Sequence, residues 1–101
     1  MKLLITAIAA AGFISAPAFA AEDLAQEKNC MSCHAADSQL VGPSYKDVAE
    51  KYADDDDAVE HLVKTIQEGS SDVWGSVPMP PNPQVSDDEA KQLAEWILGH
   101  E

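Results

Sequence analysis

Two cysteines three residues apart constrain this chain more than any other feature of its sequence. Cys30 and Cys33 are its only cysteines, and they lie in the run C-M-S-C-H at residues 30–34. A disulfide between them would close a very small loop and stabilise the fold little, because the entropic gain falls as the loop shortens. A chain of 101 residues has a small core and usually needs a bound group or another staple. The pair therefore points to something that binds at residues 30–34.

The run C-x-x-C-H is the attachment signal for c-type haem. Its spacing suits that chemistry, because two thiols can add to the two vinyl groups of a porphyrin and form thioethers. The next residue, His34, can then place an imidazole nitrogen beneath the iron. The sequence therefore predicts one haem c, attached through Cys30 and Cys33, with His34 as an iron ligand.

Two alternatives use the same cysteines. A thioredoxin-like dithiol expects a βαβ context, which the helical spacing of this chain does not indicate. A structural zinc site needs four ligands, so the motif would have to recruit His61 or His100 at no standard spacing. Haem attachment is the favoured interpretation, and a zinc or dithiol module stays as a minor alternative.

The first 20 residues are predicted to be a cleaved signal peptide. Lys2 supplies a positive start, residues 3–14 are apolar, and A-F-A at residues 18–20 is an A-x-A cleavage site. The apolar stretch is short and no positive cluster follows it, which favours cleavage over a retained anchor. We expect one mature domain, residues 21–101, in the periplasm.

The charge of the chain excludes some classes of partner. It has 18 acidic residues, six lysines and no arginine, with a net charge of −12. Nucleic-acid binding needs clusters of lysine and arginine, and anionic membranes would repel such a chain. We therefore expect no nucleic acid and, after cleavage, no membrane as partner. The charge favours either a basic partner surface or simple solubility.

Four of the acids are consecutive aspartates at residues 54–57. One of these four residues, in the first place Asp57, is expected to cap the helix that follows, because aspartate is a preferred N-cap residue. A solvated helix start is favoured over a docking patch for a basic partner.

Hydrophobic residues recur with helical rather than alternating spacing, so the predicted class is all-α, with four or five short helices and two long loops. The capping box of Ser86 and Glu89 marks the start of the last helix. The other predicted boundaries are a first helix that begins with residues 24–28 and runs into Cys30, a second from Ser44 or Tyr45, a third that ends at Gly69, and the end of the last at Gly99.

An electron-carrying haem iron usually needs a second axial ligand, and four residues qualify: Met31, His61, Met79 and His100. Met31 lies inside the attachment turn, His61 is expected at the surface, and His100 is expected to fray near the C-terminus. Met79 lies in V-P-M-P-P-N at residues 77–82, where prolines stiffen the backbone. Although a lone methionine is more often a core residue, Met79 is the predicted ligand. Two protein ligands leave no open iron site, which predicts an electron carrier and not an enzyme.

The chain resembles the small bacterial class I cytochromes c of the 551/552 type over essentially all of the predicted mature domain. The resemblance rests on residues 30–34, on V-G-P-S-Y-K-D-V-A at 41–49, on V-W-G-S-V-P-M-P-P-N at 73–82, and on the final helix around Trp96. It implies the class I cytochrome c fold, in which short helices wrap around one covalent haem and the first and last helices cross. Trp96 is expected to pack between helices.

The resemblance also implies roles for individual residues. Cys30 and Cys33 would bind the haem, His34 and Met79 would be its axial ligands, the Pro43 carbonyl would accept a hydrogen bond from His34, Trp74 would donate to a haem propionate, and Asn82 would hydrogen-bond near the Met79 sulfur. The chain departs from the group at Thr65, where members often carry a basic residue near a propionate. Thr65 cannot supply that charge.

The predicted function is one-electron transfer by a periplasmic monomer. Its partners would be respiratory redox proteins with basic or apolar docking patches, such as a bc1-type complex and a nitrite reductase or terminal oxidase. The contact patch would comprise Met31, Val77, Pro80 and Pro81. The alternative function is a haem enzyme or ligand sensor in which Met79 detaches.

Overall fold

The computed structural model of the protein describes residues 18–100. Within this range lie four α-helices, which are α1 (Ala18–Glu27), α2 (Tyr45–Lys51), α3 (Ala58–Glu68) and α4 (Asp87–Leu98), and a 3₁₀ turn at Cys30–Ser32. The only β-type pairing among these residues is two isolated backbone bridges. The all-α prediction is confirmed.

Helix α1 begins earlier than the predicted residue 24. It runs from Ala18 to Glu27 and so passes through the predicted cleavage point after residue 20. Alanine has the highest intrinsic helix propensity, and the A-F-A-A run at residues 18–21 extends the helix in the N-terminal direction. Nearly all of the predicted signal peptide lies outside the described residues.

Helices α2 and α4 begin after serine caps; Ser86 is a predicted cap, and Ser44 is one of the two predicted starts of the second helix. Ser44 Oγ accepts a hydrogen bond of 3.0 Å from the Asp47 amide. At the start of α4, Ser86 Oγ accepts from the Glu89 amide at 3.2 Å, and Glu89 Oε1 accepts from the Ser86 amide at 3.0 Å. The predicted capping box is therefore formed, and it satisfies two amides that have no partner within the helix.

The predicted cap of α3 is wrong in detail. Asp57 occupies the N-cap position, but its side chain makes no capping hydrogen bond. Asp55 folds back instead, so that its Oδ1 accepts from the Asp57 amide at 2.8 Å and its Oδ2 accepts from His61 Nδ1 at 2.7 Å. These bonds, the amide first, hold the pKa of the Asp55 carboxyl below its usual value.

Helix α4 is the centre of the packing, since it contacts α1, α2 and α3. Small residues allow these close approaches, and Ala25, Ala90 and Ala94 are completely buried. One cluster joins α1, α3 and α4 around Leu93 and Ile66, and a second joins α2, α3 and α4 around Leu62. No helix within residues 18–100 has both the length and the apolar character needed to cross a membrane.

The two long segments between helices, residues 33–44 and 69–86, have no regular structure beyond the two bridges. Both face one cavity against the helices, and that cavity contains the candidate site.

Candidate functional site

The cavity has an empty volume of about 1050 Å³, counting the space open to solvent. Its inner wall is apolar and comes from the helices, mainly Leu62, Ile66, Leu93 and Ile97. Among the predicted site residues, the lining includes Cys30, Cys33, His34, Pro43, Trp74 and Met79.

The motif C-M-S-C-H forms a tight turn at the wall of this cavity. The amides of Cys33 and His34 both donate to the Cys30 carbonyl, at 3.2 and 3.0 Å. No disulfide joins Cys30 to Cys33. Burial raises the pKa of the Cys30 thiol, and the neighbouring Cys33 adds to that rise. A reactive dithiol is favoured by a lowered pKa, so the surroundings of Cys30 do not favour thiol exchange.

The zinc alternative also lacks support in the part of the chain that the structure describes. No three side chains of histidine, cysteine, aspartate or glutamate in that part approach closely enough to share a metal ion. His61 is exposed, as predicted, and its Nδ1 is bound to Asp55.

The His34 ring has a fixed orientation. Its Nδ1 lies 2.7 Å from the Pro43 carbonyl. A carbonyl oxygen only accepts, so Nδ1 carries the proton and Nε2 keeps a free lone pair, the form that binds a metal. The Tyr45 ring stacks on the imidazole with centroids 5.4 Å apart.

Gly42 contributes to this orientation in a way that the sequence alone did not indicate. A Cβ atom at Gly42 would lie 2.6 Å from His34 Cε1, so any side chain there would displace the ring. The Gly42 amide donates to the Cys33 carbonyl at 2.8 Å. The glycine before Pro43 was the available signal, but its function depends on a contact across the loop.

Tyr45 connects the His34 ring to the C-terminal helix. It packs edge-on against Trp96 at 5.0 Å, which is the predicted interhelical role of Trp96. Its hydroxyl donates to Met31 Sδ at 3.5 Å. Burial raises the pKa of Tyr45 far above its ordinary value, so the hydroxyl stays a donor at all physiological pH values.

His100 is ordered, which corrects the expectation that it frays. Its Nδ1 donates to the Trp96 carbonyl at 2.9 Å, and its ring packs edge-on against the Trp96 ring at 4.6 Å. The side chain thereby adds a second donor to a carbonyl in the last turn of α4, which also accepts from the Gly99 amide at 3.2 Å. Met31 and His100, two rejected ligand candidates, both belong to the surroundings of Tyr45.

Met79 is held through its backbone. Its amide donates to the Ser70 carbonyl at 2.8 Å, and its own carbonyl accepts from the Ser70 amide at 3.1 Å. Gly69 makes room for this pairing: it has φ +82°, and a Cβ atom there would lie 2.6 Å from the Met79 carbonyl oxygen. The half-buried Met79 side chain lines the cavity.

Asn82 fastens the same segment to α3. Its amide Nδ2 donates to the carbonyls of Ile66 at 3.0 Å and Pro80 at 3.2 Å, and its backbone amide also donates to Ile66. The side chain thus binds two carbonyls in this structure. Its predicted hydrogen bond near the Met79 sulfur stays a prediction.

The mouth of the cavity combines apolar and charged groups. The exposed fractions of Val77 and Val41, which line the cavity, are 60 and 57 %. Trp74 is 39 % exposed, and the Lys51 ammonium lies 5.3 Å from the centroid of its ring. We use "the mouth" below for Val41, Val73, Trp74 and Val77.

Comparison with known proteins places this geometry in a family. The cytochrome c family model matches residues 19–101. Cytochrome c-552 of Hydrogenobacter thermophilus is 53 % identical over 96 residues, which cover 95 % of this chain and 93 % of the relative. Cytochrome c-551 of Pseudomonas aeruginosa is 47 % identical over 97 residues, covering 93 and 92 %. The crystal structure of wild-type Nitrosomonas europaea cytochrome c552 is similar with a TM-score of 0.78 and 54 % identity, covering 79 % of this chain and 99 % of that one.

Proposed function

The chain belongs to the cytochrome c family, and from that premise we propose that it shuttles single electrons between respiratory proteins of the periplasm. Membership confirms that the chain is a monohaem c-type cytochrome of an electron-carrier family, not an enzyme, and that it takes one covalent haem c. The fold is that of the class I cytochromes c. The axial ligands, the partners and the compartment are the proposal.

One observation carries the proposal: a single cavity is lined by both motif thiols, by His34 and by Met79. The tautomer that Pro43 imposes on His34 directs the Nε2 lone pair away from the loop. Met79 brings a thioether from the other long loop. We assign Cys30 and Cys33 to covalent attachment, and His34 and Met79 to the two axial positions.

Haem c supplies an iron that changes between the ferric and ferrous states. The residues of this chain determine how easily it does so. A thioether ligand raises the reduction potential. The apolar wall of Leu62, Ile66 and Leu93 favours the state with less charge, and the Pro43 contact fixes the ligand ring and increases its basicity.

Electron exchange is assigned to the exposed edge of the cavity. Met31, Val77, Pro80 and Pro81 form the proposed contact patch, and Val77 is among the most exposed apolar residues there. A small and partly apolar contact of this kind suits a brief encounter. The net charge of −12 favours partners with a basic surface and accelerates the encounter at low salt. The protein is proposed to act as a monomer.

The domain boundaries of 1–20 and 21–101 are part of the proposal. The family model begins its match at residue 19. The crystallised Nitrosomonas relative is covered almost completely by 79 % of this chain, which leaves about a fifth without a counterpart. Both facts support a leader that is removed on export to the periplasm.

An absorption spectrum tests the ligand assignment. The full chain is produced in a host able to attach haem, and spectra are recorded in the oxidised and reduced states. A covalent low-spin haem with the weak far-red band of a ferric methionine–iron bond is expected. A high-spin spectrum, or rapid carbon monoxide binding to the reduced protein at neutral pH, would favour the enzyme or sensor alternative. Mass spectrometry of the purified protein tests cleavage after residue 20.

The contact patch is tested by Val77→Glu, with Gln26→Glu as a control that adds the same charge on exposed α1. The electron-transfer rate to a basic redox partner should fall with the first variant and not with the second. Equal rates for both variants would remove Val77 from the contact patch.

A further inference from the structure

The polar lining residues outside the motif at 30–34 are Thr65, Ser70, Ser71 and Asp72, which all come from one stretch of eight residues. The aromatic residues Tyr52 and Trp74 also line the cavity. The rest of the wall is mostly apolar. Haem carries two propionate carboxylates as its only charged substituents. On the haem-binding function proposed above, these carboxylates belong in the polar part, because a buried carboxylate without a partner is unfavourable.

That part of the cavity lacks a positive charge of its own. No lysine is among the lining residues, the sequence contains no arginine, and the ionisable carboxyl that does line the cavity, Asp72, has the same sign as a propionate. Two further carboxylates would therefore meet a negative surface unless a cation reached them from just outside the lining.

Lys51 is the cation in that position. Its ammonium lies 5.3 Å from the Trp74 ring centroid and 6.0 Å from that of Tyr52, and both rings line the cavity. Such distances are typical of cation–π contacts. Lys51 belongs to the last turn of α2, where the helix dipole favours a positive charge. Among residues 18–100, no carboxylate forms a salt bridge with it.

We propose that Lys51 is the residue that pairs with the haem propionates, held at the mouth by Trp74 and Tyr52. It supplies from α2 the positive charge that Thr65, on α3, does not provide. The cation stabilises ionised propionates, and its positive charge offsets theirs at the iron, which favours ferrous over ferric iron. Lys51 therefore determines the reduction potential and its dependence on pH without touching the iron.

The test compares three variants of the haem-loaded protein. Lys51→Gln removes the charge, Lys51→Arg keeps it, and Lys91→Gln removes the same charge from an exposed position on α4. Reduction potentials are measured from pH 4 to 9, and propionate titration is followed by proton nuclear magnetic resonance. All three variants are first checked for the low-spin spectrum of the parent, so failure of the ligand assignment is seen separately.

With Lys51→Gln we expect a lower potential at neutral pH and a propionate titration that moves upward by about one pH unit, because an adjacent cation lowers a carboxyl pKa. Lys51→Arg should restore both values, and added salt should reduce the differences, since the mouth is partly exposed. His61 lies 6.0 Å from the Tyr52 ring and pairs with Asp55, so the titration is repeated in a His61→Gln background to separate its protonation.

Equal shifts in Lys51→Gln and Lys91→Gln would overturn the proposal, since they would show only the effect of total charge. An unchanged propionate titration in Lys51→Gln would also overturn it, and would leave Lys51 as a packing partner of Trp74.

Discussion

The two sides of the cavity hold their predicted iron ligands by different means. On the His34 side, residues 30–45, the side chain itself is fixed, because Pro43 accepts from its ring and Tyr45 stacks on it. On the Met79 side, residues 69–82, the backbone is fixed, through the Ser70 pairing and the Asn82 bonds to Ile66. The His34 contacts with Pro43 and Tyr45 join residues that are 9 and 11 positions apart in the chain, whereas Asn82 and Ile66 are 16 residues apart.

Because of this difference, the segments that hold the two iron ligands should differ in stability. The Pro43 contact of His34 lies within one loop, and the Tyr45 ring that stacks on His34 is itself packed against Trp96 of α4. The Met79 segment depends on α3 remaining in place, and it carries exposed apolar residues such as Val73 and Val77. Segments with few buried contacts open first in a folded protein. Met79 should therefore be the ligand that detaches before the fold is lost.

The largest effect is expected from Met79→Leu. Leucine has a similar volume, so the packing penalty should stay below about 1.5 kcal/mol, but it has no sulfur to bind iron. The far-red band should disappear and the reduced protein should bind carbon monoxide. Met31→Leu is the matched control, since it removes only the Tyr45 hydroxyl contact. An unchanged far-red band in Met79→Leu would refute the ligand assignment.

Substitution of Gly69, next to the Met79 backbone, and of Gly42, next to the His34 ring, should affect the two sides of the cavity differently. Gly69→Ala forces a side chain into φ +82° and toward the Met79 carbonyl, which should lower the free energy of unfolding by about 1–3 kcal/mol and weaken the far-red band. Gly42→Ala instead pushes on the His34 ring, so it should rotate that ligand. The first effect is measured by urea unfolding, and the second by the haem proton shifts.

If Gly42→Ala weakened the far-red band as much as Gly69→Ala did, the two sides would not be independent. Residues 30–45 and 69–82 would then behave as one cooperative unit.

A smaller effect is expected from Asn82→Ala, which removes the side-chain ties to Ile66 and Pro80. Losing these hydrogen bonds should lower stability by about 1–2 kcal/mol. In urea, the far-red band should disappear before the helical circular dichroism does. The gap between the urea midpoints of these two signals should be larger in the variant than in the parent. Gln84→Ala, which removes only an exposed bond to Asn82 Oδ1, should leave the gap unchanged.

The smallest effect is expected from Glu89→Gln, which lies outside both sides of the cavity. The Ser86 amide holds the pKa of the Glu89 carboxyl below its ordinary value, and Lys28 assists. A depressed folded-state pKa stabilises the protein above the unfolded value of about 4.3, and this stabilisation is lost as the pH falls through the folded value. The Glu89→Gln variant should therefore be less stable than the parent at pH 7 and equally stable at pH 2. The far-red band and the haem proton shifts should be affected to the same extent.

Much of this fold follows from local signals in the sequence. Ser44, Ser86 and Gly69 mark helix ends because capping acts within a few residues. The motif at residues 30–34 predicts its own turn. The helical spacing of hydrophobic residues predicts the all-α class, and Leu62, Ile66 and Leu93 of α3 and α4 are buried.

Other features depend on contacts that local patterns cannot indicate. Asp55, rather than Asp57, binds the start of α3 because His61, six residues later, draws its carboxylate there. His100 is ordered because the Trp96 and Tyr45 rings create a surface for it. The fit of Gly42 against the His34 ring likewise appears only when the loop is folded.

The exposed apolar mouth has a consequence for concentrated solutions of this protein. Exposed apolar residues of the mouth, such as Val41 and Val77, would favour self-association if identical molecules could approach freely. Each copy, however, carries a net charge of −12, and at physiological ionic strength this repulsion extends over about 8 Å. The acidic surface thus acts as a colloidal stabiliser, since it keeps like molecules apart and admits only a partner of opposite charge to the mouth.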